Sequence, residues 1–184
     1  MPGDKLTFTT AAEHAIPTPV VDPTRGINTK PHRILEVHRE EVQGQTDQML
    51  IYGIIQPSTS PWNSPILGIP KKPEASAKKK WRIVVDFRKL NEVTVGDSFP
   101  LPVITKILDT LGISKYFSTI DCASGFLQVP VRLEDQPKTA FSTREGHFQY
   151  KRMPFGLTLE APVVLHYLKA PTAVKLTAVC FIAF

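Results

Sequence analysis

Asp121 is the residue best placed to do chemistry. It ends an alternating run in which Tyr116, Ser118 and Ile120 point one way and Phe117, Thr119 and Asp121 the other. A period of two in aromatic and β-branched residues predicts a strand. The small residues Cys122, Ala123, Ser124 and Gly125 follow, where a backbone can turn tightly and approach a ligand closely. Phe126 then opens an apolar run over 127–131. A carboxylate beside such a turn can hold a divalent cation, because Mg²⁺ takes hard oxygen ligands and shares them with substrate phosphates. Taken alone the signal is weak, since aspartates at strand ends are mostly turn formers or helix caps.

The second chemical feature is charge. Residues 71–89 hold Lys71, Lys72, Lys78, Lys79, Lys80, Arg82, Arg88 and Lys89 against Glu74 and Asp86, a local excess of +6 in a chain whose net charge is +5. Trp81 and Phe87 are interleaved with them. That pattern fits a nucleic-acid backbone; a solvated lysine-rich loop is the plain alternative.

Several elements must position these groups. Residues 1–30, with Pro2, Pro17, Pro19 and Pro23, read as an irregular tail or linker. Val42, Thr46, Met49 and Leu50 share one helical face, which predicts a helix over 37–52 with Gly53 at its end and Gly44 as a weak point. The proline-rich stretch 57–65 excludes regular structure. Apolar runs at 66–69 and 81–87 predict a hairpin with the lysines at its tip. Ile104, Ile107, Leu108 and Leu111 predict a helix over 103–111, started by Pro102 and stopped by Gly112. A second hairpin is expected from 139–143 and 148–153 around Arg144-Glu145-Gly146-His147, broken by Met153-Pro154-Phe155-Gly156. The fold class is α+β.

Length and a hydrophobic content of 42% allow one domain with a sizeable core. Cys122 and Cys180 form neither a disulfide framework nor a zinc pattern, which points to a reducing, intracellular setting. There is no signal-peptide pattern, and the apolar stretch 178–184 is too short to span a bilayer, so no membrane partner is expected.

The runs GIIQPSTSPWNSPI, KKPEASAKKKWRIVVDFRKLNEVT, FPLPVITKILDTL, KYFSTIDCASGFLQVPV and PKTAFSTREGHFQYKRMPFGL together resemble the reverse transcriptase of gypsy-class LTR retrotransposons, over about Ile27 to Pro162. Motifs in that order and spacing are far more specific than any one of them. The resemblance implies the fingers and part of the palm of a right-hand polymerase, with an RNA or DNA template–primer, deoxynucleoside triphosphates and Mg²⁺ or Mn²⁺ as partners. It implies that Asp121 is the first metal-binding catalytic carboxylate and that Cys122 reaches a metal through its carbonyl. Ser124 and Gly125 would turn N–H groups to the triphosphate. Phe126 would lie under the sugar and collide with a ribose 2′-OH, and Phe155 and Gly156 would floor the pocket. Arg82, with Lys72 or its neighbour Lys71, would meet the triphosphate, and Asn63 and Arg88 the template.

Two departures limit that reading. The family's downstream Tyr-x-Asp-Asp hairpin has no counterpart, because the sequence contains no Asp-Asp pair; Tyr167-Leu168-Lys169-Ala170 offers only a cation and a methyl. After Leu157 the expected Lys-Asn/Ser-Ala-Pro run is replaced by Thr158-Leu159-Glu160 before Ala161-Pro162. The expectation is therefore a tail at 1–30, fingers and partial palm at 31–162, and a divergent tail at 163–184. Such a chain has an incomplete metal-ligand set and does not polymerise unaided. A palm sheet lacking its central hairpin would also self-associate through an exposed edge. A non-catalytic, basic nucleic-acid-binding fragment is the competing function.

Overall fold

The computed structural model describes residues 8–10, 12–22, 24–30, 39–70, 81–96, 105 and 124–158. Helix α1 runs Arg39–Ile51 and buries the face its spacing predicts: Val42 and Thr46 are buried, and Met49 and Leu50 pack against the core. Thr46 satisfies its hydroxyl there by donating to the Val42 carbonyl at 2.9 Å. Gly53 ends the helix with φ +63°. The Gly53 N–H bonds to Leu50 O (3.0 Å) and the Ile54 N–H to Met49 O (2.9 Å), a paired closure that needs a left-handed residue at that point.

Strands β1 (Ile55–Pro57), β2 (Ile66–Pro70) and β3 (Trp81–Val85) follow. β2 and β3 form the first expected hairpin, in register from Ile66 opposite Val85 to Pro70 opposite Trp81. Residues 71–80, which carry the lysine tip, lie outside the described residues, as do the strand expected at 116–121 and, Thr105 apart, the helix expected at 103–111. β3 stops short of the expected Phe87. The chain instead turns there into helix α2 (Arg88–Val93), which the sequence reading missed. The turn lets Phe87 enter the core, 1% exposed, with its ring 6.3 Å from that of Tyr150.

The second hairpin is also shorter than expected: β4 is Phe141–Ser142 and β5 is His147–Tyr150. Gln136–Thr139 forms a 3-10 turn before it. β1, β5 and β4 make an antiparallel sheet in that order. Its inner face carries Ile55, Phe141, Phe148 and Tyr150, with the Phe141 and Tyr150 rings 5.3 Å apart. Burial pushes the Tyr150 phenol above its ordinary range.

The palm-sheet edge expected to drive self-association borders the strand at 116–121, outside the described residues; two strand edges that are described have local partners. Ser64 donates its N–H to Ala140 O (2.8 Å) alongside β4. At β3, the Gln45 amide of α1 donates to Trp81 O (2.7 Å) and accepts from the Ile83 N–H (3.0 Å), as a neighbouring strand would. Among the described residues, no helix is long and apolar enough to cross a membrane.

Residues 8–30, expected as a tail, are irregular where described, yet they are packed. Thr9 donates to Gln128 O and His14 to Pro130 O (both 2.8 Å), while His14 O accepts from the Arg132 N–H (2.9 Å). His14 and Ile16 are buried. Farther on, Gly26 has φ +57°, and a Cβ there would stand 2.8 Å from the Trp62 ring. Gly26→Ala therefore combines left-handed strain with overpacking against a rigid indole, and is expected to cost about 1–3 kcal/mol in urea unfolding. Gly53→Ala, at a site with open space, separates the two causes, because it carries the backbone strain alone.

Candidate nucleotide and template site

The turn after Asp121 is described from Ser124 onward. Ser124 adopts the left-handed conformation (φ 52°, ψ 47°) and starts a 3-10 turn over Gly125–Gln128. The Leu127 N–H bonds to Ser124 O (2.9 Å) and the Val129 N–H to Phe126 O (3.1 Å). The apolar run expected to extend from Phe126 is thus coiled at first and extended only from Val129. A non-glycine residue held at positive φ marks a backbone fixed by its surroundings. Among the described residues, the Ser124 and Gly125 N–H groups have no backbone acceptor.

The strip beyond this turn brings it to Phe155. Val131 donates to Lys151 O (2.9 Å), while Met153 donates to Val129 O (2.8 Å). Val129 is 0% exposed and Met153 likewise, so this pairing lies in the core. The next residues, Phe155 and Gly156, then emerge beside Phe126. The Phe126 and Phe155 rings meet edge to face, 5.1 Å between centroids at 72°. Phe155 is 48% exposed, so this aromatic corner opens to solvent.

Gly156 has φ +95°, and a Cβ there would sit 3.7 Å from Val85 O and 3.8 Å from Phe87. Its carbonyl accepts a hydrogen bond from Asn91 Nδ2 (2.7 Å), and Asn91 Oδ1 accepts from the Thr158 N–H (3.1 Å). Sequence reasoning passed over Asn91, because an asparagine inside RKLNEV gives no local signal of a partner 65 residues away.

The cations divide by partner. Arg82, on β3 opposite Ile69, is exposed and has no ion-pair or hydrogen-bond partner among the described residues. Arg88 Nη2 donates to Asp86 Oδ2 (2.6 Å) and Nε to Oδ1 (2.9 Å), which holds the guanidinium above its ordinary pKa. Lys89 pairs with Glu92 at 3.0 Å. The positive patch is therefore partly neutralised at its root by Asp86 and Glu92.

Asn63, expected at the template, is 7% exposed, and its amide is engaged at both ends. Nδ2 donates to Thr29 O (2.8 Å), and Oδ1 accepts from Ser142 Oγ (2.9 Å). It is a buried joint between residues 27–29 and β4. Lys72, Asp121 and Cys122 lie outside the described residues. Among those that are described, no group of three or more His, Cys, Asp or Glu could hold a metal ion.

The family profile described as Reverse transcriptase (RNA-dependent DNA polymerase) matches residues 69–172, which carries it past Pro162 into the stretch read as divergent. Similar proteins include the Drosophila melanogaster retrovirus-related Pol polyproteins from transposon 297, 47% identical over 155 residues, and from transposon gypsy, 34% identical over 180 residues. These alignments cover 84% and 97% of this chain but 14% and 17% of the relatives, so the chain spans a small fraction of their length. A foamy viral protease-reverse transcriptase, solved in complex with RNA/DNA hybrid, superimposes with a TM-score of 0.74 at 26% identity, over 89% of this chain and 21% of that one.

Proposed function

Because the chain belongs to the reverse transcriptase (RNA-dependent DNA polymerase) family, we propose that it provides the fingers and first part of the palm for template-directed DNA synthesis. In this reading residues 31–162 bind an RNA or DNA template–primer and an incoming deoxynucleoside triphosphate. The supporting observation is the meeting of Phe126 and Phe155 at a solvent-open corner, between the left-handed Ser124 turn and the Gly156 turn.

Each group has a role that follows from its chemistry. The flat edge of Phe126 would exclude a ribose 2′-OH by collision, which is discrimination by a built-in clash. The Ser124 and Gly125 amides would receive phosphate oxygens. Arg82, whose guanidinium has no partner among the described residues, can fork onto two triphosphate oxygens, joined by Lys72. Arg88, aimed by Asp86, stands on the template side. Mg²⁺ or Mn²⁺ would sit at the Asp121 carboxylate and the Cys122 carbonyl. Such ions neutralise developing charge and orient the oxygens of phosphoryl transfer. The sequence supplies no Asp-Asp pair to complete their coordination, so the purified chain alone is expected not to extend a primer.

Substrate binding tests the reading without requiring turnover. With Mg²⁺ and a labelled template–primer, the next complementary deoxynucleotide should hold the chain on the duplex against a heparin challenge, and the matching ribonucleotide should not. Phe126→Ala is expected to improve ribonucleotide retention relative to deoxynucleotide by on the order of tenfold. Retention indifferent to every nucleotide would overturn the pocket. Template-dependent extension by the chain alone would overturn the incomplete ligand set.

A further inference from the structure

We infer that Asn91 is the positioning residue that ties the nucleotide-pocket turn to helix α2, an inference that rests on reading Phe155 and Gly156 as the pocket floor. The turn reaches α2 through both ends of one short amide. Nδ2 holds the Gly156 carbonyl and Oδ1 holds the Thr158 N–H, at 2.7 and 3.1 Å. Two bonds from one planar group fix orientation as well as distance, as a neighbouring strand's peptide unit would. Asn91 itself is held, because its N–H bonds to Phe87 O (2.8 Å) and Phe87 is locked in the core.

The turn is also anchored by Met153 before it and Leu157 within it, both buried, but neither fixes the peptide groups on each side of Leu157 as Asn91 does. Phe155 is exposed apart from its contact with Phe126, and Gly156 has no side chain to anchor it. Arg88 lies on the same short helix, one turn before Asn91. Asn91 therefore ties the floor that would carry the nucleotide to a helix already fixed in the core by Phe87 and Leu90, so losing its side chain frees the turn and leaves the helix in place.

The test compares wild type, Asn91→Ala and Asn91→Asp. Asp keeps an acceptor for the Thr158 N–H but has no donor for the Gly156 carbonyl, so it should give an intermediate effect at Thr158 and no rescue at Gly156. In Asn91→Ala the deoxynucleotide concentration needed to hold the chain on template–primer should rise about tenfold, while affinity for template–primer without nucleotide stays within about twofold. Amide exchange at Thr158 should quicken about tenfold with that of Tyr150 unchanged, which separates local release from global loss of stability. A wild-type nucleotide requirement with unchanged Thr158 exchange would overturn the inference. If the wild type shows no nucleotide-dependent retention, the pocket reading fails and the nucleotide role of Asn91 fails with it; unchanged Thr158 exchange in Asn91→Ala would then also remove its hold on the turn.

Discussion

Asp135→Ala is expected to lower unfolding stability by about 3–5 kcal/mol, the loss typical when one partner of a buried ion pair is removed. Asp135 is 4% exposed, and its two oxygens have different tasks. Oδ1 takes Lys138 Nζ at 2.5 Å, and Oδ2 takes the Ile16 N–H at 2.9 Å. Lys138 in turn donates to the Ile16 carbonyl at 2.7 Å. Ile16, itself buried, is thus gripped at both its N–H and its C=O by a pair 119 and 122 residues away. Alanine would leave the Ile16 N–H without its acceptor in the interior and the part-buried Lys138 ammonium with the Ile16 carbonyl but no carboxylate, which costs more than the net value of the bonds lost. Since a domain's whole stability is about 5–15 kcal/mol, the variant should unfold at much lower urea, with the amides of residues 9–18 losing exchange protection first. Asp135→Asn, which keeps an acceptor for Ile16, should retain part of the loss. A midpoint shift below about 1 kcal/mol would show that the N-terminal segment is not held by this pair.

How legible such features are in the sequence depends on whether their cause is local. α1 was readable because its inward face repeats every third or fourth residue and Gly53 is placed to close it. The β2–β3 hairpin was readable from two apolar runs around a polar tip. α2 was not, because six residues carry too little periodicity, and the buried Phe87 before it reads equally well as a strand residue. The 3-10 turn at Phe126 was hidden for a similar reason: its start is a left-handed serine, where sequence alone suggests glycine. Resemblance singled out Phe126 and Phe155 separately, and nothing in the sequence signalled that their rings touch. The roles of Asn63, Asn91 and Asp135 depend on partners tens of residues away. Asn63 was singled out by resemblance alone, and nothing near it in the sequence signals its partners Thr29 and Ser142.

His14 gives this chain an acid-sensitive stability. The imidazole is 0% exposed, and both ring nitrogens are buried without a hydrogen-bond partner among the described residues. Burial lowers its pKa from 6.5 to about 4, with the Asp135 carboxylate pulling the other way. The unfolded chain therefore binds a proton that the folded chain refuses between pH 6.5 and about 4. Stability is fully present above the unfolded value and falls as pH drops through that window, by about 2 kcal/mol between pH 7 and 5 and roughly 3 kcal/mol by pH 4. His14→Leu is expected to remove this slope. It should also leave stability at pH 7 unchanged or higher, because it replaces an unsatisfied polar ring with an apolar group of similar reach. The carboxylates add their own acid loss in both proteins, so the difference between the two curves is the quantity to follow. It should open below pH 6.5 and level off near 4, with residues 9–18 the first to exchange. Parallel curves from pH 7 to 4 would mean that His14 is open to water in solution and that the segment bearing it is not packed against Val131.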